Sequence, residues 1–140
     1  MAKAILLSIH PKWVEKIYNG EKTIEWRKNA PRSYENYKVY LYETSPVKKV
    51  TGFLELDGFE PINVNRPNNY DLLCQLIESG RVNKEDLVKY QGNKSQLIAW
   101  CIGTIFGRFD QPKTLADFGL KRAPQSWQYV EDEINGGNEC

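Results

Sequence analysis

Residues 4–9 read Ala-Ile-Leu-Leu-Ser-Ile, an almost unbroken apolar run of strand length, which is the pattern of a strand covered on both faces. Pro11 follows, its φ already set for a first helical turn, and Trp13, Val14, Ile17 and Tyr18 then recur at helical spacing as far as Asn19. Gly20 is placed to end that helix. From Gly20 the chain alternates. As a strand, it turns Thr23, Glu25 and Arg27 to one face and Ile24 and Trp26 to the other, closing near Asn29-Ala30-Pro31. One face can enter a core while the other carries opposite charges. After a polar stretch from Arg32 to Asn36, residues 38–44 alternate aliphatic and aromatic side chains, and residues 48–56 read as their antiparallel partner, with Gly52 a candidate bulge.

The proline and asparagine content of residues 57–69 predicts a long connection. Residues 70–77 then have helical periodicity ending at Gly80, and Asn83 is a good N-cap for a second short helix that runs through residues 86–90 to Gly92. This segment, about 57–92, reads as a helical insertion between strands. Residues 96–106 are the longest apolar run and predict a central strand with room to bend at Gly103. Residues 114–119 fix no state, residues 124–130 read as a last strand, and the acidic, glycine-rich residues 131–140 read as a flexible tail. Five or six short strands, one early helix and an inserted helix pair predict an α+β fold. Its sheet is small, mostly antiparallel and bent into a closed or nearly closed β-barrel with flanking helices, one domain over residues 1–130.

Length and composition narrow the function classes. At 140 residues the chain can bury a core without metals or disulfides. Lys and Arg number 19 against 18 Asp and Glu, so a polyanion would have to meet a local patch and not a global positive field. Aromatic residues are 12%, enough to line a core or stack on bases. Cys74, Cys101 and Cys140 are odd in number and widely spaced, with His10 the one imidazole, so neither a structural metal site nor a disulfide framework is expected, and a reducing, cytoplasmic setting is. The first apolar run is too short for a signal sequence or membrane span. No cofactor motif is present: there is no P-loop, no dinucleotide-binding glycine fingerprint, no paired-histidine zinc motif and no nucleophile elbow. Oligomeric state stays open.

Several side chains have both a plain and a functional reading. Lys22, Glu25 and Arg27 can be a surface ladder of weak ion pairs. If the sheet turns them toward a cleft, Arg27 can hold a phosphate through its fork and Glu25 can read a base edge or move a proton. His10, at a helix start, reads first as a cap. Tyr40, Tyr42 and Trp100 read as core before they read as stacking platforms. Lys48-Lys49 and Lys121-Arg122 are solvated turns or contacts for a polynucleotide backbone.

Three stretches in order, Leu7-Ser8-Ile9-His10-Pro11-Lys12, then Ile17 to Lys28 with Gly20, Lys22, Glu25 and Arg27 in a Gly-x-Lys-x-x-Glu-x-Arg pattern, then Val39 to Pro46, resemble an ASCH domain of the PUA-like superfamily. The later run 97–106 fits that family's closing barrel strand. The resemblance implies a PUA-like β-barrel with a cleft lined by the motif, and an RNA or nucleotide/nucleoside ligand with no membrane role. Its implied ligand-binding residues are Ser8, Lys12, Lys22, Glu25, Arg27, Tyr42, Thr44 and Ser45. A few relatives are enzymes. If this chain is one, Lys22 and Glu25 are the catalytic candidates, in a ribonuclease or in a hydrolase of a modified nucleoside. The branch that cleaves the amide of acetylated cytidine uses a lysine, a threonine and a distant glutamate. Its lysine falls on Lys22, but Glu25 stands where its threonine nucleophile belongs, and only Glu55 and Glu60 offer themselves as the distant glutamate. The third reading is an interaction domain in which the inserted helices meet a protein partner.

Overall fold

The computed structural model describes residues 3–32 and 38–132. The elements follow in the order β1 (Lys3–Ile9), α1 (Pro11–Tyr18), β2 (Ile24–Arg27), β3 (Lys38–Glu43), β4 (Lys49–Ile62), α2 (Tyr70–Gly80), α3 (Lys84–Gln91), β5 (Leu97–Lys113), a 3-10 turn over Leu115–Phe118, and β6 (Trp127–Glu131). The six strands form one mixed sheet in the order β2-β5-β4-β3-β1-β6. β1 and β3 run parallel and every other pair is antiparallel.

The sheet curls toward a barrel without closing. Among the described residues no ladder joins β2 to β6, and side chains bridge the gap. Arg27 Nη1 donates to Ser126 Oγ at 3.1 Å, Trp127 Nε1 donates to Asn29 Oδ1 at 2.7 Å, and the rings of Trp100 and Trp127 meet edge to face at 5.9 Å. This is the barrel-like α+β, PUA-like architecture that the sequence predicts, held at its seam by side chains instead of a last ladder.

β1 is covered on both faces, as its apolar run predicts. Ile5, Leu7 and Ile9 enter a core with Val39, Leu41, Leu54, Leu56, Ile98 and Trp100, capped by Val14 and Ile17 of α1. Ala4 and Leu6 face the other way, into a cluster with Tyr40, Tyr42, Val50 and Val130, which Phe118, Leu120 and Ala123 cover. A third cluster joins Ile24 and Trp26 of β2 to Val64, Leu73, Leu76, Leu87, Leu97 and Ala99. The apolar stripes of α2 and α3 pack against the β2 side of the sheet, while Tyr70 of α2 and Tyr90 of α3 stay exposed.

Three sequence expectations change. Residues 57–62 continue β4 instead of beginning a connection. Among the described residues β4 beyond Glu55 pairs only with β5, where Pro61 lies opposite Ile98, and a proline is tolerated on a strand with one such edge. β5 runs on past Phe106 to Lys113, bending at Gly107, whose φ of 87° suits glycine. β6 extends through Glu131, where Lys3 and Glu131 lie in register and pair at 2.9 Å, so the expected tail loses its first residue; residues 133–140, including Cys140, lie outside the described residues, as does most of the expected 32–36 loop. Among the described residues no helix is long and apolar enough to cross a membrane, and Cys74 and Cys101 are free thiols.

Candidate functional site: a charged hollow between α1, β2 and α3

Gly20 holds φ at 85° and lets the chain reverse from α1 into β2. The reversal is pinned by the Lys22 N–H donating to Lys16 O at 3.0 Å and the Thr23 N–H donating to Ser79 O at 2.9 Å. Lys22 thus lies at the C-terminal end of α2, where carbonyls lack helical partners and a cation is favoured. Its ammonium donates to the carbonyl of Gly80, the last residue of α2, and faces Glu25 Oε1 at 3.4 Å. The Trp13 ring lies 5.0 Å from Nζ. Lys22 is only 1% exposed. Burial lowers its pKa from the ordinary 10.5, and the Glu25 carboxylate pulls the other way by charge and hydrogen bonding.

β2 supplies the rest of the row. Glu25 accepts twice at Oε2 from Arg27, from Nε at 2.9 Å and from Nη2 at 2.6 Å. Arg27 Nη2 also donates to Ser8 O at 2.9 Å. Lys22, Glu25 and Arg27 are therefore one continuous, largely buried ion-pair chain, cation to anion to cation. The plain reading as a solvated ladder does not survive this burial.

The three residues line a hollow of about 410 Å³ together with Ser8, Ile9, His10, Trp13, Trp26, Thr44, Val82, Asp86, Leu87, Tyr90 and Gln125. That volume lies within the range of about 300–1,000 Å³ usual for small-molecule sites. His10 is the N-cap of α1, its Nδ1 accepting from the Lys12 N–H at 3.1 Å, so the neutral ring carries its proton on Nε2. His10 is thus the expected cap and, which the sequence did not show, a lining residue.

Of the residues expected from sequence, Ser8, Lys22, Glu25, Arg27 and Thr44 meet here. Ser8 contributes mostly backbone, since its hydroxyl donates to Pro124 O at 2.7 Å. Lys12, Tyr42 and Ser45 are not part of the lining. Lys12 is exposed, with Nζ 4.7 Å from the Trp13 ring; Tyr42 is buried in the apolar cluster on the sheet's other face; Ser45 is exposed in the turn after β3. Tyr40 and Trp100 are fully buried core residues. Glu55 and Glu60 do not line the hollow, so neither supplies the distant glutamate of an amide-cleaving triad. The fork of Arg27 is turned onto Glu25 and Ser8. Among the described residues four of its five N–H groups have partners and one on Nη1 does not, which leaves a single hydrogen bond for a ligand in place of the expected bidentate grip.

Sequence reasoning missed the far wall. Val82, Asp86, Leu87 and Tyr90 come from α3 and the residue run before it, which the sequence presents as an insertion remote from the motif. Tyr90 lies under Lys28 Nζ at 4.9 Å, and burial pushes its hydroxyl pKa up. A helical repeat of apolar residues says that α3 packs, not against what.

Comparison with known proteins gives the family and the fold. The chain is 26% identical over 129 residues to the ATP synthase subunit alpha of Ureaplasma parvum, covering 92% of this chain and 15% of that protein. It is 33% identical over 63 residues to the ASCH domain-containing ribonuclease of Zymomonas mobilis, covering 45% of this chain and 43% of that protein. The chain thus spans less than half the length of these curated relatives. The crystal structure of ASCH from Zymomonas mobilis superposes with a TM-score of 0.76 at 22% identity, covering 93% of this chain and 89% of the other, a likeness of fold. The ASCH domain family model matches residues 7–98, well over half the chain and the whole of the Gly-x-Lys-x-x-Glu-x-Arg turn, and the chain belongs to the ASCH domain family.

Proposed function

We propose that this chain binds RNA, seating one nucleotide in the hollow between α1, β2 and α3. The observation that carries this reading is the convergence of the Lys22–Glu25–Arg27 chain with Trp13 and Tyr90 on one cavity of nucleoside size. A nucleotide offers three chemistries, and the lining answers each. The base has a π-face suited to aromatic walls, the sugar has hydroxyls for Thr44, Gln125 and His10 Nε2, and the phosphate has negative charge for Lys22 and the spare N–H of Arg27. The chain of two cations on one anion leaves a single positive charge when Lys22 is protonated. That favours an anion without making a deep charge well.

Labelled single-stranded RNA and mononucleotides titrated at low salt test this. Binding that weakens as salt rises, and weakens further in Tyr90→Ala, is expected. No binding of any oligonucleotide or nucleotide at low salt refutes the reading.

Strand cleavage is the second reading, favoured by the buried amine of Lys22 and by the ribonuclease relative. The 2′-hydroxyl would attack its adjacent phosphorus and close a 2′,3′-cyclic phosphate, a base would take the 2′ proton, and the 5′-oxygen of the next nucleotide would leave as a hydroxyl, taking a proton from a general acid or water. The neutral form of Lys22 is the better placed base, because Glu25 already spends Oε2 on Arg27 and Oε1 on Lys22. RNA cleavage that persists unchanged in Lys22→Met would eliminate this role.

A further inference from the structure

Among the described residues two carboxylates line the hollow, Glu25 on β2 and Asp86 on α3. They are not equivalent. Glu25 has both oxygens engaged, Oε1 facing Lys22 at 3.4 Å and Oε2 accepting twice from Arg27. Asp86 is exposed, and among the described residues its carboxylate meets no cation. An acid in the first turn of a helix is ordinarily a solvated charge of the sign that end favours. Glu85 of the same turn fits that description, because it is not part of the lining. Asp86 differs by where it stands. Its N–H donates to Asn83 Oδ1 at 2.8 Å, the cap that starts α3, and the next residue, Leu87, is buried in the cluster with Ile24 and Trp26. The carboxylate is thus carried on a fixed stretch of backbone. Tyr90 follows four positions later, so ring and carboxylate share one face of α3 and both meet the hollow. The Tyr90 hydroxyl hydrogen-bonds the Lys28 backbone, just past β2, and feels the charges of Arg27 and Glu25. Cations therefore stand on the β2 side, an aromatic ring reaches from α3 to β2, and an acceptor-only group stands one helical turn from that ring.

We propose that Asp86 selects the base, and that the hollow takes a guanine nucleotide whose N1–H and 2-amino group both donate to the Asp86 carboxylate. The inference rests on the nucleotide-binding reading and adds which base is bound. A carboxylate has two acceptor oxygens and no proton to give, so it is matched by two donors side by side. Guanine offers that pair on its Watson–Crick edge. Adenine and cytosine set an acceptor nitrogen next to their single amino group, and uracil sets N3–H between two carbonyls. Each of these would turn a lone pair toward the second carboxylate oxygen. A polar group left facing an acceptor rejects a ligand much more strongly than a small loss of apolar contact does. With its edge held at Asp86, the base lies along Tyr90. The phosphate is then carried toward β2, where Lys22 and the spare N–H of Arg27 meet its charge.

The test titrates the 5′-monophosphates of guanosine, inosine, xanthosine, adenosine, cytidine and uridine at low salt against the unaltered chain and against Asp86→Asn. Inosine lacks the 2-amino group, and xanthosine carries a carbonyl in its place. The unaltered chain is expected to bind the guanosine nucleotide at least about tenfold more tightly than the adenosine, cytidine and uridine nucleotides, with inosine between. The side-chain amide in Asp86→Asn offers one acceptor and one donor, which match the N1–H and 2-carbonyl of xanthine. That variant should lose the guanine preference and bind the xanthosine nucleotide more tightly than the guanosine one, a gain that misfolding cannot imitate. Equal binding of the four common nucleotides by the unaltered chain, tightest binding of one other than guanosine, or a guanine preference that survives in Asp86→Asn overturns the assignment to Asp86 and leaves the nucleotide reading standing. If none of the six binds the unaltered chain, the nucleotide reading falls first and the base assignment falls with it.

Discussion

Arg27 and Glu25 stand two positions apart on one strand, and the guanidinium meets a single carboxylate oxygen twice, from Nε at 2.9 Å and Nη2 at 2.6 Å, leaving Oε1 for Lys22. The relationship is possible because alternation puts both side chains on one face of β2 and a long arginine can fold back along it. It makes the motif a structural clasp as well as a site. The same guanidinium reaches Ser8 O and Ser126 Oγ, and so ties β2 across the seam where no ladder forms.

Arg27→Ala is therefore expected to cost stability as well as binding. It removes a partner from a pair whose side chains are 12% and 10% exposed, and it cuts both seam contacts. The loss should be about 3 kcal/mol, the low end for breaking a buried pair, because Lys22 still faces Glu25. Arg27→Lys keeps the charge but cannot reach Glu25, Ser8 and Ser126 together, and should recover only part. Urea unfolding of the three proteins checks this; equal midpoints would show that the clasp bears no load.

Lys22 and Tyr18 predict opposite trends on the alkaline side. Burial lowers the Lys22 pKa below 10.5, so between the folded value and 10.5 the unfolded chain holds more protons and stability rises with pH. Tyr18, which shares a hydrogen bond with Thr51 at 3.0 Å, is pushed by burial from 10.0 to about 12. Its contribution is complete below pH 10 and is lost as pH climbs from 10 through 12. Lys22→Met should remove the rise and Tyr18→Phe the fall. Stability curves of both variants that run parallel to the unaltered chain across that window would contradict both assignments.

Gly80 is a close-approach position. A Cβ there would stand 2.9 Å from Trp26 Nε1 and 3.1 Å from Trp26 Cδ1, a rigid ring in the core beneath the hollow. The Gly80 carbonyl also holds Lys22. Gly80→Ala should therefore destabilise by about 1–3 kcal/mol, against the usual gain from alanine in a helix. It should also displace Lys22 and weaken nucleotide binding. A more stable protein with unchanged binding would show that α2 can move away freely.

Much of this was legible in the residues. The double-faced apolar run of β1, the proline start and glycine stop of α1, and the cap Asn83, whose side chain accepts from the Asp86 N–H, are local patterns with local causes; the matching cap Asn69, inside the expected connection, was not read. The motif residues lie on one short turn and strand, so their grouping was legible too. The continuation of β4 through Gly58 and Pro61 was not, because turn-forming residues in a strand are permitted only by which edges are paired, and pairing is a long-range fact. The commitment of the Arg27 fork was equally hidden: its Ser126 partner is 99 residues away in sequence. Lys22 finds its carbonyl 58 residues away.

Tyr90 gives the sharpest separation of binding from folding. It lines the hollow from α3, is 37% exposed, and contributes no member to the three apolar clusters. Its neighbour Leu87, 3% exposed and packed against β2, anchors α3 together with the buried, hydrogen-bonded Gln91. Tyr90→Ala should consequently leave the unfolding midpoint close to that of the unaltered chain, while removing a stacking face worth about 1–3 kcal/mol to a bound base. Tyr90→Phe keeps the ring and should retain most of the affinity. Leu87→Ala should do the reverse in order, losing about 2–5 kcal/mol of stability first and binding as a consequence. Isothermal titration with a mononucleotide beside thermal unfolding reads both quantities. If Tyr90→Ala binds as tightly as the unaltered chain, the base does not lie against Tyr90, and the aromatic face it uses must be that of Trp13 or Trp26.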